Sequence, residues 1–284
     1  MIRITIILIL TLVTLQTPAR DKRALVIGIG KQQDKAWTTI HGDRDVKIIT
    51  SMLRSCGYDD ITTLTDEQAV KSAIVNSIKQ LTARCSVGDI VYIHFSGHGQ
   101  RMTDIDGDET ADRYDEAWIP YDAYRKYCDE DKGDKHLSDD ELHALLTDMR
   151  RKVGTQGNIV VVVDACYSGD STRSPDDTIC VRGVTDIFEI PCAGRGNAQP
   201  RTEQWLTLSA CKYYQVNYEH PNGYGKLSFA IFSLHDDMTT MSNSDIEAAV
   251  CKYMQRKDVS PGNMCQTPVL SGDVLNYSFN EIFK

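Results

Sequence analysis

Residues 158 to 169 read Asn-Ile-Val-Val-Val-Val-Asp-Ala-Cys-Tyr-Ser-Gly. An isoleucine and four valines in succession fit a strand buried on both faces, because β-branched side chains pack well on a pleated surface and neither face is left polar. The run stops at Asp164, Cys166 and a Ser-Gly turn. A carboxylate and a thiol therefore sit at the carboxyl end of a central strand, where open α/β sheets hold their ligands. A second stretch, Asp89-Ile-Val-Tyr-Ile-His-Phe-Ser-Gly-His-Gly99, repeats the design with an imidazole, His98. If the two strands are parallel neighbours, His98 meets Cys166 as a base beside a nucleophile. A nearby imidazole takes the thiol proton and stabilises the anion, while Gly99 and the turn after Cys166 leave backbone N–H groups for an oxyanion. Either residue alone reads better as core; the matched strand ends are what point to chemistry.

The rest of the chain alternates strands with helices. Ala24 to Ile29 is an apolar strand, Asp45 to Arg54 a helix ended by Gly57, and Ile61 to Leu64 a short strand. Glu67 to Ala83 reads as a helix with Val70, Ile74, Ile78 and Leu81 on one face. After the His98 strand come an acidic segment, a helix, the Cys166 strand and a loop from Ser171 to Arg201. Trp205 to Cys211 is a further strand, and a helix begins at Phe229. Strands alternating with helices imply parallel pairing, so the expected fold is a three-layer α/β/α sandwich. No linker, repeat or low-complexity tract divides the chain, which predicts one domain over residues 20–284.

The net charge of −9 with no basic block argues against a nucleic-acid surface. Acidity gathers between Asp104 and Asp140. Its Asp104, Asp106, Asp108, Asp112 and Asp115 spacing mimics an EF-hand, but Gly107 stands two residues too early for the sharp turn, and an EF-hand is rejected. A solvated loop and a calcium site assembled from separate segments both remain. Ser138 to Glu141 has the pattern of a capping box, placing Asp139 and Asp140 in the first turn of a helix. At the start of the chain, Arg3, the apolar run Ile4 to Leu15 and Thr17-Pro-Ala19 fit an export signal over residues 1–19, too short for a spanning anchor. The chain is expected to be exported, periplasmic or secreted, without a stable membrane anchor. Setting Cys166 aside leaves eight of the nine cysteines, with Cys180 and Cys192 the pair most open to a disulfide and Cys211 a small buried hydrophobe.

The two strand-end motifs, with Arg23-Ala-Leu-Val-Ile-Gly-Ile29, Ser138-Asp-Asp-Glu-Leu142, Leu208-Ser-Ala-Cys-Lys212 and Gln266-Thr-Pro-Val-Leu270, give a chain that resembles the metacaspases, caspase-like cysteine peptidases of the C14 family. The resemblance runs from about residue 23 to residue 271 and implies a caspase-type fold with a mostly parallel six-stranded sheet. It also implies calcium activation, with Asp115 matching the family's Tyr-Asp ligand and Asp139 and Asp140 its paired aspartates. The fourth acidic ligand aligns with Arg173, which cannot bind a cation; Asp170, Asp176 and Asp177 are the nearby substitutes. Asp45 aligns with an acidic pocket residue and Ser96 with a polar one, with Asp43 the alternative register. Asp164 stands two residues before Cys166, so its side chain points to the same side of the strand. Two carboxylates beside a nucleophile attract Arg or Lys at the cleaved position and repel Asp.

The expected protein is a bacterial, exported, monomeric endopeptidase acting on peptides after Arg or Lys. It would use a Cys166–His98 dyad with no evident third member, and a thioester intermediate. The alternatives are an inactive caspase-like module that binds proteins, and a hydrolase of the same fold acting on a non-peptide amide or ester.

Overall fold

The valine run forms β7 (Asn158–Asp164), buried along its whole length as is its neighbour β3 (Ile90–Ser96). The computed structural model describes residues 20–105, 107, 114–167, 180–191, 202–261, 264 and 266–284. The export signal lies outside these residues. In chain order the other elements are β1 (Lys22–Gly28), α1 (Gly42–Ser55), β2 (Asp60–Thr65), α2 (Lys71–Arg84), β4 (Gly99–Thr103), β5 (Tyr114–Trp118), β6 (Leu137–Ser138) and α3 (Asp139–Val153). They continue with β8 (Leu206–Ser209), β9 (Glu219–His220), β10 (Tyr224–Gly225), α4 (Lys226–Met238), α5 (Asn243–Met254) and β11 (Val269–Gly272).

Six strands make the main sheet in the order β11-β8-β7-β3-β1-β2. All neighbours pair in parallel except β11, which closes the edge antiparallel to β8. Alternate residues of each strand feed opposite faces. Val160 and Val162 pack with α1, α4 and α5, through Ile49, Leu227 and Val250 among others. Ile159, Val161 and Val163 pack with α2 and α3, through Ile74, Ile78 and Met149. The three-layer sandwich and the mostly parallel six-stranded sheet both stand.

Some boundaries move. The helix expected from Glu67 begins at Lys71, and Asp66–Gln68 is a separate 3-10 turn. Asp66 takes φ 43°, in the left-handed region, and its carboxylate accepts the Gly30 N–H at 2.8 Å. The turn is held to the β1 loop and the helix starts only after it; Val70 becomes the helix N-cap rather than part of its apolar face. The helix expected from Phe229 starts earlier, at Lys226, and the strand expected over Trp205 to Cys211 narrows to Leu206–Ser209. A small sheet, β4-β5-β6, occupies the region read only as acidic.

His94 shows how tightly the sheet centre is closed. Its imidazole is fully buried on β3, with Nδ1 3.0 Å from the Tyr92 hydroxyl and Nε2 3.0 Å from the Ser228 hydroxyl. Burial lowers its pKa from 6.5 to about 4. The unfolded chain therefore takes up a proton first, so this contribution is complete above about pH 6.5 and is lost as pH falls towards 4. At pH 5 the loss comes to about 2 kcal/mol for such a histidine. Urea unfolding at pH 7 and pH 5 should show this decline, and His94→Gln should reduce the difference between the two pH values.

Candidate active site

The register of β3 and β7 sets Ser96 directly beside Asp164, so both strands end at the same level. The Gly97 N–H donates to the Asp164 carbonyl at 3.3 Å, and the chains that follow carry His98 and Cys166. Both residues are buried. His98 Nε2 lies 2.7 Å from the Thr38 carbonyl, and Trp37 stacks on the ring at 5.1 Å. A carbonyl can only accept, which assigns the ring proton to Nε2. Nδ1 is then the basic nitrogen, buried and without a hydrogen-bond partner among the described residues. Burial lowers the His98 pKa to about 4, with the Thr38 carbonyl pulling the other way, so the ring is neutral near pH 7. Thr38 is the orienting group for the imidazole that sequence patterns missed; a backbone carbonyl leaves no signature in residue type.

The Cys166 thiol donates to the Gln215 carbonyl at 2.8 Å. Cys211 is its neighbour: the bond to Cys166, then burial, push the Cys211 thiol well above its ordinary pKa. The Cys166 backbone N–H donates to the Arg182 carbonyl at 2.8 Å. Gly99 lies against the Cys166 carbonyl, so closely that a Cβ there would meet its oxygen at 2.7 Å.

Asp45, Ser96 and Asp164 converge beside this centre, all three fully buried. Gly42 makes this possible: a side chain there would strike the Ser96 carbonyl at 2.5 Å, so only glycine lets α1 start against the β3 end. Asp43 is not in the pocket; its carboxylate lies near Gly30. What fills the pocket is Arg182. Its guanidinium is fully buried, with Nη1 2.9 Å from Asp45, 3.8 Å from Asp164 and 2.5 Å from the Ser96 hydroxyl. Nε and Nη2 reach Glu219 at 3.1 and 2.9 Å. Asp164 also accepts from Asn217 at 2.9 Å and from the Ser228 N–H and hydroxyl at 2.8 and 2.7 Å. Burial works to raise the Asp164 pKa, but Arg182, Asn217 and Ser228 outweigh it and hold the carboxyl below the ordinary value. At Asp45 burial wins over Arg182 and its pKa rises. Two close carboxylates thus share their charge unequally around one cation.

The backbone around Arg182 is laid out as a strand. Val181 bridges Tyr218 antiparallel, the Arg182 N–H donates to the Asn217 carbonyl at 2.9 Å, and the Glu219 N–H donates to the Cys180 carbonyl at 3.0 Å. Gly183 then passes directly over Cys166, where a Cβ would overlap the Cys166 carbonyl. Sequence reasoning placed Arg182 in an open loop and did not find Glu219 or Asn217. The charge of the Val216-Asn-Tyr-Glu219 stretch was visible, but nothing local ties it to a site formed by residues 45, 96 and 164.

The expected metal residues sit on β5 and at the start of α3, and of the three only Asp139 lines the cavity there. Asp115 is buried on β5, and β5 pairs with β6, which leads into Asp139 and Asp140 at the start of α3. Ser138 caps that helix, its hydroxyl accepting the Glu141 N–H at 3.3 Å, while the Glu141 carboxylate pairs with Lys71 at 2.6 Å rather than returning to the cap. Asp139 and Glu116 face one cavity of about 500 Å³ with His143, Tyr167 and Glu203. A donor set of carboxylate oxygens suits a hard cation. Arg173, Asp170, Asp176 and Asp177 lie outside the described residues. Cys180 carries a free thiol, its expected disulfide partner Cys192 lies outside the described residues, and Cys211 is buried as expected. Among the described residues no helix is long and apolar enough to cross a membrane.

Comparison with known proteins places these features in a family. Residues 22–175 match the model described as metacaspase, peptidase C14 domain. A Metacaspase-1B of Aspergillus terreus is 32% identical over 165 residues, covering 54% of this chain and 40% of that protein. A Metacaspase-1 of Mycosarcoma maydis is 30% identical over 185 residues, 62% of this chain and 42% of that protein. The chain thus spans less than half the length of these curated relatives. Among solved structures, a Geobacter sulfurreducens protein superposes with a TM-score of 0.63 at 20% identity, over 88% of this chain and 92% of the other. Caspase-1 from Spodoptera frugiperda does so with a TM-score of 0.58 at 11% identity, over 89% and 86%. These two likenesses concern the fold.

Removing the cation from a buried network leaves its carboxylates uncompensated, at a cost of about 3–5 kcal/mol. In a Cys166→Ala background, Arg182→Gln should lower the urea-unfolding free energy by at least about 3 kcal/mol. Benzamidine, a small amidinium, should raise the melting temperature of that variant and not of its parent. Equal stability of variant and parent would place Arg182 outside the pocket.

Proposed function

The chain belongs to the metacaspase peptidase C14 family, and from that footing we propose that it is a cysteine endopeptidase cutting after arginine and lysine. The observation that carries the specificity is Arg182, held by Asp45, Ser96, Asp164 and Glu219 with its carbonyl on the Cys166 N–H. A peptide segment that fills an acidic pocket, pairs with 217–219 and sets its carbonyl on the Cys166 N–H has the arrangement of a substrate. The bond in line is Arg182–Gly183, within the loop where an enzyme of this specificity cuts itself. Arg173, Arg195 and Arg201, the other arginines of that loop, lie outside the described residues.

The mechanism follows from where protons sit. His98 Nδ1 has a free lone pair because the Nε2 proton is committed to Thr38. When the Cys166 thiol leaves the Gln215 carbonyl, Nδ1 takes its proton and the thiolate attacks the carbonyl carbon. The developing oxyanion occupies the position of the Arg182 oxygen, receiving the Cys166 N–H, with the Gly99 N–H as the second donor. The imidazolium then gives its proton to the leaving amine, and a thioester remains. Water, deprotonated by His98, hydrolyses the thioester and restores the thiol.

Calcium belongs to this proposal, held by Asp115, Asp139 and Asp140. The bound ion would supply positive charge against the mutual repulsion of these carboxylates. Export follows from the leader of residues 1–19, and peptides with Arg or Lys at the cleaved position are the partners.

The specificity is tested on peptides differing only in the cleaved residue. Truncating one side of a buried charge pair costs about 2–5 kcal/mol, a fall of roughly 30-fold to several thousand-fold in kcat/KM. Asp164→Asn should show that loss with Arg and Lys peptides, while Cys166 still reacts with a small uncharged alkylating agent. Arg should be cut faster than Lys, whose point charge spans two carboxylates less well. Preferential cutting after Asp would overturn the pocket assignment. Chelation should lower activity and calcium restore it, with weaker calcium affinity in Asp140→Ala; full activity of metal-free protein would remove calcium from the account.

A further inference from the structure

Beside the pocket, three side chains outside the proton and acyl transfers come together, one of them, Glu219, also holding Arg182. One ligand atom from each of His41, Cys180 and Glu219 lies within 4.8 Å of the other two. They arrive on separate segments: the residue before α1, the strand carrying Arg182, and β9. His41 Nδ1 is 2.6 Å from Glu219 Oε2, and the Cys180 thiol bonds to the same carboxylate. A cavity of about 210 Å³ opens onto the three, lined also by Arg44, His220 and Asn222. The His41 side chain is 31% exposed, which gives an ion an entry.

We propose that His41, Cys180 and Glu219 form a site for a divalent cation of the zinc type, which ties the internal strand to the body of the enzyme and holds Arg182 in the acidic pocket. The metal site stands by itself; the holding function rests on reading Arg182 as an occupant that substrate must displace. An imidazole nitrogen, a thiolate and a carboxylate are the ligand types zinc takes, with a water in the fourth position. Calcium wants six to eight oxygens and finds one carboxylate here. The carboxylate is already oriented, because Glu219 Oε1 accepts from the His41 N–H at 2.7 Å and from Arg182. Such outer contacts fix a ligand's direction. Burial and Glu219 raise the Cys180 pKa, so the thiol is protonated without metal. On binding, the Sγ–H bond breaks and its proton passes to solvent, the imidazole proton held between Nδ1 and Glu219 Oε2 moves to Nε2 through solvent, and Sγ, Nδ1 and Oε2 each form a bond to the ion.

Cys180 stands two residues before Arg182, so the strand cannot leave the pocket with the metal in place. A ligand that binds only the closed arrangement stabilises it by mass action, and metal at 100 times its Kd lowers the open fraction about 100-fold.

The test uses the full chain with Cys166→Ala, which prevents self-cutting and removes the catalytic thiol as a competing ligand, under a non-chelating reductant. Cobalt(II) is the probe. One equivalent should give a thiolate-to-cobalt charge-transfer band with tetrahedral d–d intensity, abolished by one equivalent of zinc(II). Cys180→Ser should lose the band, and His41→Ala should weaken cobalt binding by about tenfold or more. No band in the parent, or an undiminished band in Cys180→Ser, would overturn the site. Affinity for a fluorescent peptide ending in Arg should fall about 100-fold at zinc 100 times its Kd, and Cys180→Ser should not respond. Unchanged peptide affinity in zinc-loaded protein would overturn the holding function. A peptide that binds neither with nor without zinc would count against the arginine pocket, while the cobalt band still decides the metal site.

Discussion

A fully buried guanidinium among three carboxylates is the interaction on which the active-site end of this fold depends. Asp45 comes from α1, Asp164 from the end of β7 and Glu219 from β9, so the Arg182 cation joins three segments far apart in sequence. Without a cation, such a cluster is strongly unfavourable away from water. The arrangement is therefore stable with a guanidinium in place and strained without one. The proposed preference for basic residues and the burial of the chain's own Arg182 there would be two results of one electrostatic constraint.

The sheet makes the cluster possible through parity. Ser96 and Asp164 are register partners on adjacent parallel strands, and both point to the face covered by α1 and α4. Two residues further along each chain, past the strand ends, come His98 and Cys166. Ser96 and Asp164 share a face because strand side chains alternate with period two, and the paired strand ends bring the segments carrying His98 and Cys166 off the sheet at one level. Glycine at position 42 then allows the first turn of α1 to bring Asp45 within 2.6 Å of the Ser96 hydroxyl.

That logic explains how much the sequence revealed. The valine run, the matched strand ends and the helix periodicities are local patterns, and they pointed to the layers, the strand neighbours, His98 and Cys166 at adjoining strand ends, and Asp164 beside them. Asp45 and Ser96 came through family resemblance rather than spacing, and the structure brings them together with Asp164. What stayed hidden is non-local or lies in the backbone. The Thr38 carbonyl has no residue signature, and Glu219 acts through a strand pairing more than fifty residues from Asp164. Arg182 looked like one arginine among several in a loop. Its place in the pocket depends on pairing with 217–219, which its own neighbours in sequence do not encode. The β4-β5-β6 sheet was hidden by acidic composition, although Tyr114–Trp118 alternates partly exposed and buried residues.

The central claim is that the chain holds its own Arg182–Gly183 bond as a substrate. The most direct measurement maps new termini by mass spectrometry after incubating purified wild-type protein with calcium, beside Cys166→Ala treated identically. The account predicts a fragment ending at Arg182 and another beginning at Gly183 in the wild type, and neither in the variant. Cutting elsewhere with the Arg182–Gly183 bond intact, or the same cut in Cys166→Ala, would contradict it.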